Sequence, residues 1–337
     1  MTAAIRFAHL SDWHATTLVG GGRAAFIGKR LSGWASWALN RRRHHDPAIL
    51  EAAIRDVQAQ QVDRIVVTGD LTHISLPAEF RAARTQLERL GSPEQVFLIP
   101  GNHDCYVPVD PSEGWDHWAP YLRSSATAVD PELAALLAPP QSPGRAPQHS
   151  DFPTLRIAGR VAWIGLCSAI ATPIFRAGGE LGAVQRERLR RLLALLGERG
   201  YCRVILIHHP VHQDGEPERR ALWDAGVLRA LLAEVGAELV VHGHKHRRRV
   251  HLLDGPQGPI PAIGVPSSSE VGSRPDRIAQ YHVYTVRPAP TVAATQASSQ
   301  PAPPSTAASA ARFTIEAQVR SYDAGRRAFV ALPDRLF

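Results

Sequence analysis

Short apolar runs rich in β-branched residues alternate with helical patterns along the first third of the chain. Residues 4–10, 63–68 and 96–99 have the composition of buried strands. Between them, apolar positions recur at helical spacing after Asp46-Pro47 and again over 77–90. The order strand, helix, strand, helix predicts an α/β fold in which successive strands end at one edge of a sheet.

The rest of the chain continues this pattern and ends in β-structure. We predict strands at 155–157, 161–166, 203–207 and 239–241, and helices at 182–196 and 217–235. Residues 281–286 and 313–319 alternate like paired strands on either side of the low-complexity segment 288–311. That segment is predicted to be a disordered loop within a C-terminal hairpin. We therefore expect a single domain over 1–337.

Polar residues that suit divalent cations follow several of the predicted strands. The five blocks are Asp12-Trp13-His14, Gly69-Asp70, Gly101-Asn102-His103-Asp104, His208-His209-Pro210 and Gly243-His244-Lys245-His246. One such block is common in structural turns, but five at strand ends indicate loops that converge on one site. Carboxylate oxygen and neutral imidazole nitrogen together favour manganese, iron or zinc.

The blocks resemble those of the calcineurin-like metallophosphoesterases over about residues 5–270. The resemblance implies a four-layer αββα sandwich with two β-sheets packed face to face. It also implies two divalent metal ions, manganese first, with iron, zinc or magnesium as alternatives. The implied ligands are Asp12, His14 and His246 for one ion, Asn102, His208 and His244 for the other, and Asp70 as the bridge.

In two of the blocks the sequence offers more than one histidine as the metal ligand. The His-x-Pro arrangement favours His208 over the adjacent His209, and the Gly-His-x-His pattern selects His244 over His242. For catalysis, we expect His103 to protonate the leaving group. Asp104 follows directly and either orients the ring of His103 or makes a loop hydrogen bond.

The composition limits the class of protein and of substrate. A net charge of +7 indicates attraction to polyanions, and the hydrophobic and charged fractions of 44% and 20% are those of a globular protein. Cys105, Cys167 and Cys202 have no CxxC spacing and are expected to be reduced thiols. With no signal core and no long apolar run, we expect a cytoplasmic enzyme.

Residues 23–45 form a basic amphipathic insert between the first two blocks. On a helix, Ile27, Leu31, Trp34 and Ala38 share one side, Lys29, Ser32, Ser36 and Asn40 the other, and Arg41-Arg42-Arg43 follow. Such a helix suits a membrane interface. Packing on the protein's own core is the alternative, and Gly28 and Gly33 weaken the helical pattern.

The insert resembles that of the family's UDP-2,3-diacylglucosamine pyrophosphatases, which act in lipid A synthesis. That resemblance implies a lipid-linked sugar nucleotide as substrate, UMP and lipid X as products, and peripheral contact with the inner membrane. A soluble 3',5'-cyclic nucleotide phosphodiesterase is the alternative enzyme. Nucleic acid is disfavoured as a substrate because aromatic and basic residues do not interleave. A non-catalytic interaction scaffold is disfavoured because all seven ligand positions and His103 carry competent residues.

Overall fold

The computed structural model describes residues 4–14, 18, 27–39, 44–125, 131–139, 142–212, 217–272, 274–289 and 313–336. The predicted loop at 288–311 therefore lies, apart from its first two residues, outside the described part of the chain. The arginine run at 41–43 lies outside it as well. None of the described helices is both long and apolar enough to cross a bilayer.

Helices and strands alternate through most of the described chain. The helices are α1 Lys29–Leu39, α2 Pro47–Ala59, α3 Pro77–Leu90, α4 Ala119–Leu122, α5 Pro131–Leu136, α6 Ala183–Glu198 and α7 Ala225–Val235. The strands are β1 Ile5–Leu10, β2 Arg64–Val67, β3 Val96–Leu98, β4 Thr154–Ala158, β5 Val161–Gly165, β6 Cys202–Leu206, β7 Leu239–His242, β8 Arg249–Leu253, β9 Ile260–Gly264, β10 Gln280–Pro288, β11 Phe313–Asp323 and β12 Ala328–Arg335.

The strands form two six-stranded sheets. The first has the order β12-β11-β10-β1-β2-β3 and the second the order β4-β5-β6-β7-β9-β8. Strands β1, β2 and β3 are parallel to one another, as are β5, β6, β7 and β9. The loops that follow β1, β2, β3, β6 and β7 carry the five polar blocks, as the sequence predicts.

Alternating side chains on each strand produce the layers. Phe7, Val66 and Trp163 lie between the two sheets in one buried cluster. The neighbouring Ala8 and Val67 point the other way, into a second cluster with α2 and α3, and a third cluster joins α6 and α7 to the outer face of the second sheet. Because a strand's side chains alternate, the central strands of each sheet pack one face on the other sheet and the other face on helices. The predicted αββα sandwich is confirmed.

The predicted helix at 217–235 begins later than its sequence pattern suggests. Helix α7 starts at Ala225, and residues 221–223 instead pair with Gly179, which donates to the carbonyl of Ala221 and accepts from the amide of Trp223. Asp224 then accepts hydrogen bonds from the amides of Leu181 and Gly182. These long-range contacts override the local helical pattern.

The C-terminal strands pair as their alternation predicts. Strand β10 runs antiparallel to β11, and the register brings Pro288 opposite Phe313. A half-buried ion pair fastens this hairpin to α2: Arg320 donates to both oxygens of Asp56 at 2.6 and 2.9 Å, and Tyr281 donates to the same carboxylate.

Candidate metal centre

The loops after the strands approach one another very closely, which explains the glycines in the blocks. A Cβ atom on Gly69 would lie 2.2 Å from the amide nitrogen of Gly101, and one on Gly243 would lie 2.0 Å from Ser11 Oγ. Any larger residue at these positions would push the loops apart.

Five candidate ligands adopt left-handed backbone conformations, which non-glycine residues rarely do. They are Asp12, His14, Asp70, His244 and His246, with φ between 37° and 68°. Such conformations cost on the order of 1–3 kcal/mol each and occur mainly at functional sites. Here they turn polar side chains from separate strands towards a common point.

Cluster A consists of Asp12, His14 and His246, whose potential ligand atoms lie within 4.8 Å of one another. His246 Nε2 lies 3.3 Å from Asp12 Oδ1. His14 Nδ1 bonds to the carbonyl of Thr72 at 2.8 Å, and its buried Nε2 has no hydrogen-bond partner among the described residues. A buried nitrogen without a partner is costly unless something else, such as a cation, binds it.

Cluster B consists of Asn102, His208 and His244. The amide oxygen of Asn102 lies 3.0 Å from His208 Nε2 and 2.8 Å from His244 Nδ1. Both rings are held from behind by backbone carbonyls: His208 Nδ1 by Thr68 at 2.6 Å and His244 Nε2 by Arg220 at 3.1 Å. These outer contacts fix the ring orientations.

Asp70 stands between the two clusters. Its Oδ2 lies 3.3 Å from His208 Nε2 and 3.6 Å from His14 Nε2, one histidine of each cluster. The potential ligand atoms of Asp70, His14 and His103 lie within 4.8 Å of one another, and so do those of Asp70, His208 and His244. The donor set therefore fits a pair of cations that share one carboxylate.

Glu270 is a residue at this centre that the sequence did not reveal. Its Oε2 lies 3.0 Å from His246 Nδ1, while the other oxygen faces Arg277 at 3.9 Å. A carboxylate behind a metal-binding histidine orients the ring and increases its basicity. The sequence offered only an acid after three serines, a pattern with no recognisable spacing.

His103 lies at the cavity side of the centre. Its amide donates to Asp70 Oδ1 at 2.7 Å, and its Nδ1 bonds to the carbonyl of His73 at 2.5 Å. The ring stacks on Tyr106 with 5.6 Å between centroids. A donated Nδ1 proton leaves Nε2 as the atom that can exchange a proton.

Asp104 holds a loop and does not orient the ring of His103. Its carboxylate accepts hydrogen bonds from the amides of Gly101, Asp70, Leu71 and Thr72 at 2.8–3.0 Å. The expectation that Asp104 orients the ring of His103 is thus corrected. Four backbone amides donate to the Asp104 carboxylate, whereas the ring of His103 bonds to the carbonyl of His73. Asp104 instead fixes the backbone that presents Asp70.

His209 and His242 have partners other than Asn102 and Asp70, although the ring of His209 lies only 4.5 Å from that of His244 between centroids. Both ring nitrogens of His209 are occupied, Nδ1 by Ser168 Oγ at 2.8 Å and Nε2 by the carbonyl of Ala177 at 3.1 Å. His242 packs against His212 at 5.5 Å between centroids. His208 and His244 are therefore the histidines of their blocks that reach Asn102 and Asp70.

The electrostatics favour positive charge at both clusters. Burial alone would lower the pKa of His208, but the facing Asp70 raises it to about 9. Burial likewise opposes the rise at His246, whose pKa Asp12 and Glu270 raise to about 9. Burial holds the pKa of His14 and His244 well below the usual range, so these two rings are neutral.

A cavity of about 840 Å³ opens over the centre. Its described lining carries eight lysine or arginine side chains and only two carboxylates, those of Asp70 and Glu270. The surplus of positive charge indicates an anionic ligand, because like charges along one cavity repel unless a counter-charge is present.

Helix α1 forms one wall of the cavity with its polar side. Lys29 donates to Thr172 at 2.8 Å, and Ser32, Gly33 and Trp37 also line the cavity. A Cβ atom on Gly33 would lie 2.6 Å from Ile74, so this glycine is what allows the helix to approach so closely.

The apolar side of α1 faces outward instead of packing on the core. Ile27, Leu31 and Trp34 are 72%, 52% and 41% exposed. Phe175, at the cavity mouth, is 85% exposed. The alternative of a helix buried by its apolar side is therefore not what the structure adopts.

The chain is similar to several known proteins. The family model described as "Calcineurin-like phosphoesterase" matches residues 5–248. A comparison with curated proteins gives no match. The chain is similar to solved structures of a dimetal phosphatase from Danio rerio (13% identity, 84% of this chain and 94% of that one, TM-score 0.48) and a purple acid phosphatase from yellow lupin, Lupinus luteus (14%, 85% and 50%, TM-score 0.50). A third is the NAD nucleotidase of Haemophilus influenzae (12%, 98% and 60%, TM-score 0.49). At these identities the likeness concerns the fold.

Proposed function

Because the chain belongs to the calcineurin-like phosphoesterase family, we propose that clusters A and B, joined by Asp70, form a site for two divalent metal ions at which it hydrolyses a phosphodiester or pyrophosphate bond. The observation that carries this proposal is the convergence of two separate donor clusters on one buried carboxylate. The mixed carboxylate, amide and imidazole donors suit manganese, iron or zinc. When bound, such a pair supplies Lewis acidity and lowers the pKa of a coordinated water.

The protein's own groups supply positioning and proton transfer. His103 is fixed by its bonds to Asp70 and His73, and it lines the cavity. A protonated ring there donates its proton to the leaving oxygen. Asp104 contributes indirectly, because it holds the amides on both sides of Asp70.

For the substrate we propose an amphiphilic phosphoanhydride, UDP-2,3-diacylglucosamine. Two features support this choice: a basic cavity for the anionic part and an exposed apolar strip, on the outer side of α1 and at Phe175, for acyl chains. The strip consists of Ile27, Leu31, Trp34 and Phe175. Exposed tryptophan and aliphatic side chains next to basic residues suit the surface of an anionic membrane, so the proposal includes peripheral membrane contact.

The reaction class is tested with a generic substrate. Manganese-loaded protein should hydrolyse bis(p-nitrophenyl) phosphate, and the Asp70→Ala variant, which lacks the shared carboxylate, should not. Wild-type protein that binds manganese but cleaves no phosphodiester or pyrophosphate would overturn the proposed activity.

The substrate is tested in mixed micelles. UMP release from UDP-2,3-diacylglucosamine is expected from wild type, and the triple variant Ile27→Ser, Leu31→Ser, Trp34→Ser should lose this release while still cleaving bis(p-nitrophenyl) phosphate. No UMP release from protein that cleaves the aryl diester would overturn the lipid substrate and favour a cyclic nucleotide. Equal flotation of wild type and triple variant with anionic vesicles would contradict the membrane contact.

A further inference from the structure

Two short segments build one wall of the cavity directly against cluster B. The carbonyl of Arg220 bonds to His244 Nε2 at 3.1 Å, and the carbonyl of Arg219 accepts from the amide of Ala177 at 2.7 Å. The carbonyl of Ala177 in turn bonds to the buried His209. The backbone of both segments is thus fixed by histidines at or beside the centre.

This wall presents three arginine side chains to the cavity. We call Arg176, Arg219 and Arg220 the arginine wall; all three are exposed and line the cavity. Over the described ranges, no ion pair or side-chain hydrogen bond involves any of the three guanidinium groups, whereas the two described cavity cations Arg247 and Arg277 each face a carboxylate.

The opposite side of the cavity differs in this respect. There Arg247 lies 3.7 Å from Asp276, and Arg277 lies 3.9 Å from Glu270. Those cations have part of their charge compensated within the protein. The arginine wall, for which the described residues supply no ion-pair partner, lies beside cluster B, where the carbonyl of Arg220 contacts His244.

We propose that the arginine wall is a second anion subsite, which binds a phosphoryl group joined through one bridging oxygen to the phosphorus held at the metal centre. This inference rests on the proposed function and deepens it, because it makes the substrate a diphosphate and not a lone phosphodiester. Guanidinium groups suit this role because their fixed fork of N–H donors matches phosphate oxygens in pairs.

The proposal explains why the wall is built from adjacent arginines on a braced backbone. Three guanidinium groups that line one cavity repel one another, and a phosphoryl group bound there reduces that repulsion. A mononucleotide diester has its only phosphorus at the metal centre and leaves the wall without a counter-charge.

The test compares a nucleoside diphosphate with its monophosphate. Binding of UDP and of UMP to manganese-loaded protein is measured by calorimetry, without reference to turnover. Wild type should bind UDP more tightly, by about tenfold or more, the effect expected of at least one additional charge-assisted hydrogen bond. The double variant Arg219→Gln, Arg220→Gln should lose this preference and keep its affinity for UMP.

Two further variants keep the test specific. Arg326→Gln replaces an exposed arginine in the turn between β11 and β12 and should leave both affinities unchanged. Arg219→Lys with Arg220→Lys keeps the charge but loses the fork, so the preference should fall only in part. Equal affinities of wild type for UDP and UMP, or an unchanged preference in the double glutamine variant, would overturn the subsite. Absence of hydrolysis with the preference intact would instead overturn the proposed function alone.

Discussion

Clusters A and B present similar ligand types but are supported in different ways. Behind cluster A stands a carboxylate, Glu270, which adds to the charge of Asp12 and the shared Asp70. Behind cluster B stand the backbone carbonyls of Thr68 and Arg220, and its own polar ligand is the neutral amide of Asn102. The negative charge at cluster A thus favours a bound cation. The arginine wall beside cluster B carries positive charge and attracts an anion.

The largest expected effect concerns the proposed general acid, His103, which is a member of neither cluster. Replacing His103 with alanine should lower kcat by about 10²–10⁴-fold, the usual contribution of a general acid. Manganese content should not change, because the backbone amide that bonds to Asp70 is retained. Hydrolysis of an alkyl phosphodiester, whose alkoxide leaving group needs a proton, together with metal analysis checks both points. Full turnover in this variant would remove His103 from the chemistry.

A smaller expected effect, on manganese affinity, distinguishes cluster A from cluster B. Glu270→Gln removes the charge behind His246 but keeps the shape, and should weaken manganese binding at cluster A by about 10–100-fold. The matched change at cluster B, Arg220→Gln, should leave manganese affinity unaltered, because the carbonyl and not the side chain contacts His244. Manganese titrations followed by electron paramagnetic resonance compare the two. An equal loss in both variants would show that the clusters do not differ in this way.

The pH dependence of metal binding follows from the raised pKa of one histidine in each cluster. At pH 7 His246 and His208, each with a pKa of about 9, carry protons in the metal-free protein. Binding must release these protons, so affinity should rise by up to about tenfold per pH unit for each proton until pH approaches 9. Calorimetry in buffers of different ionisation enthalpy counts the protons. Release of none at pH 7 would contradict the assignment.

The smallest effect lies outside both clusters. Burial, with a contribution from Arg248, lowers the pKa of His282 to about 3. His282 therefore binds a proton near pH 6.5 in the unfolded chain but not in the folded chain. The free energy of unfolding accordingly falls as the pH drops from 6.5 towards 3. His282→Phe should reduce this slope by up to about 1.4 kcal/mol per pH unit. Urea unfolding of chelator-treated protein at several pH values checks this, and identical slopes would contradict it.

The candidate ligands at the strand ends could be predicted because the sequence pattern that marks them is local. An apolar run followed by a glycine and a polar residue, as at Gly69-Asp70, can be recognised without knowledge of the partner strands. The contact between Glu270 and His246 depends on the loop after β9 reaching back across the sheet, and no local spacing records it.

The side of α1 that faces the protein could not be predicted from a helical projection either. The projection finds the apolar stripe but does not say which side meets the protein. That side is decided by Gly33 against Ile74 and by Lys29 against Thr172, both long-range contacts. The same applies to residues 221–223, where pairing with Gly179 displaces a helical pattern.

The measurement that tests the account most directly is the number of manganese ions bound per chain by wild type and by Asp70→Ala at equal free manganese. The carboxylate of Asp70 lies within 3.6 Å of one histidine of each cluster, so its loss should affect both ions. We expect two ions for wild type and loss of both in the variant, with the fold preserved by circular dichroism. Equal metal content in the two proteins would contradict the shared centre.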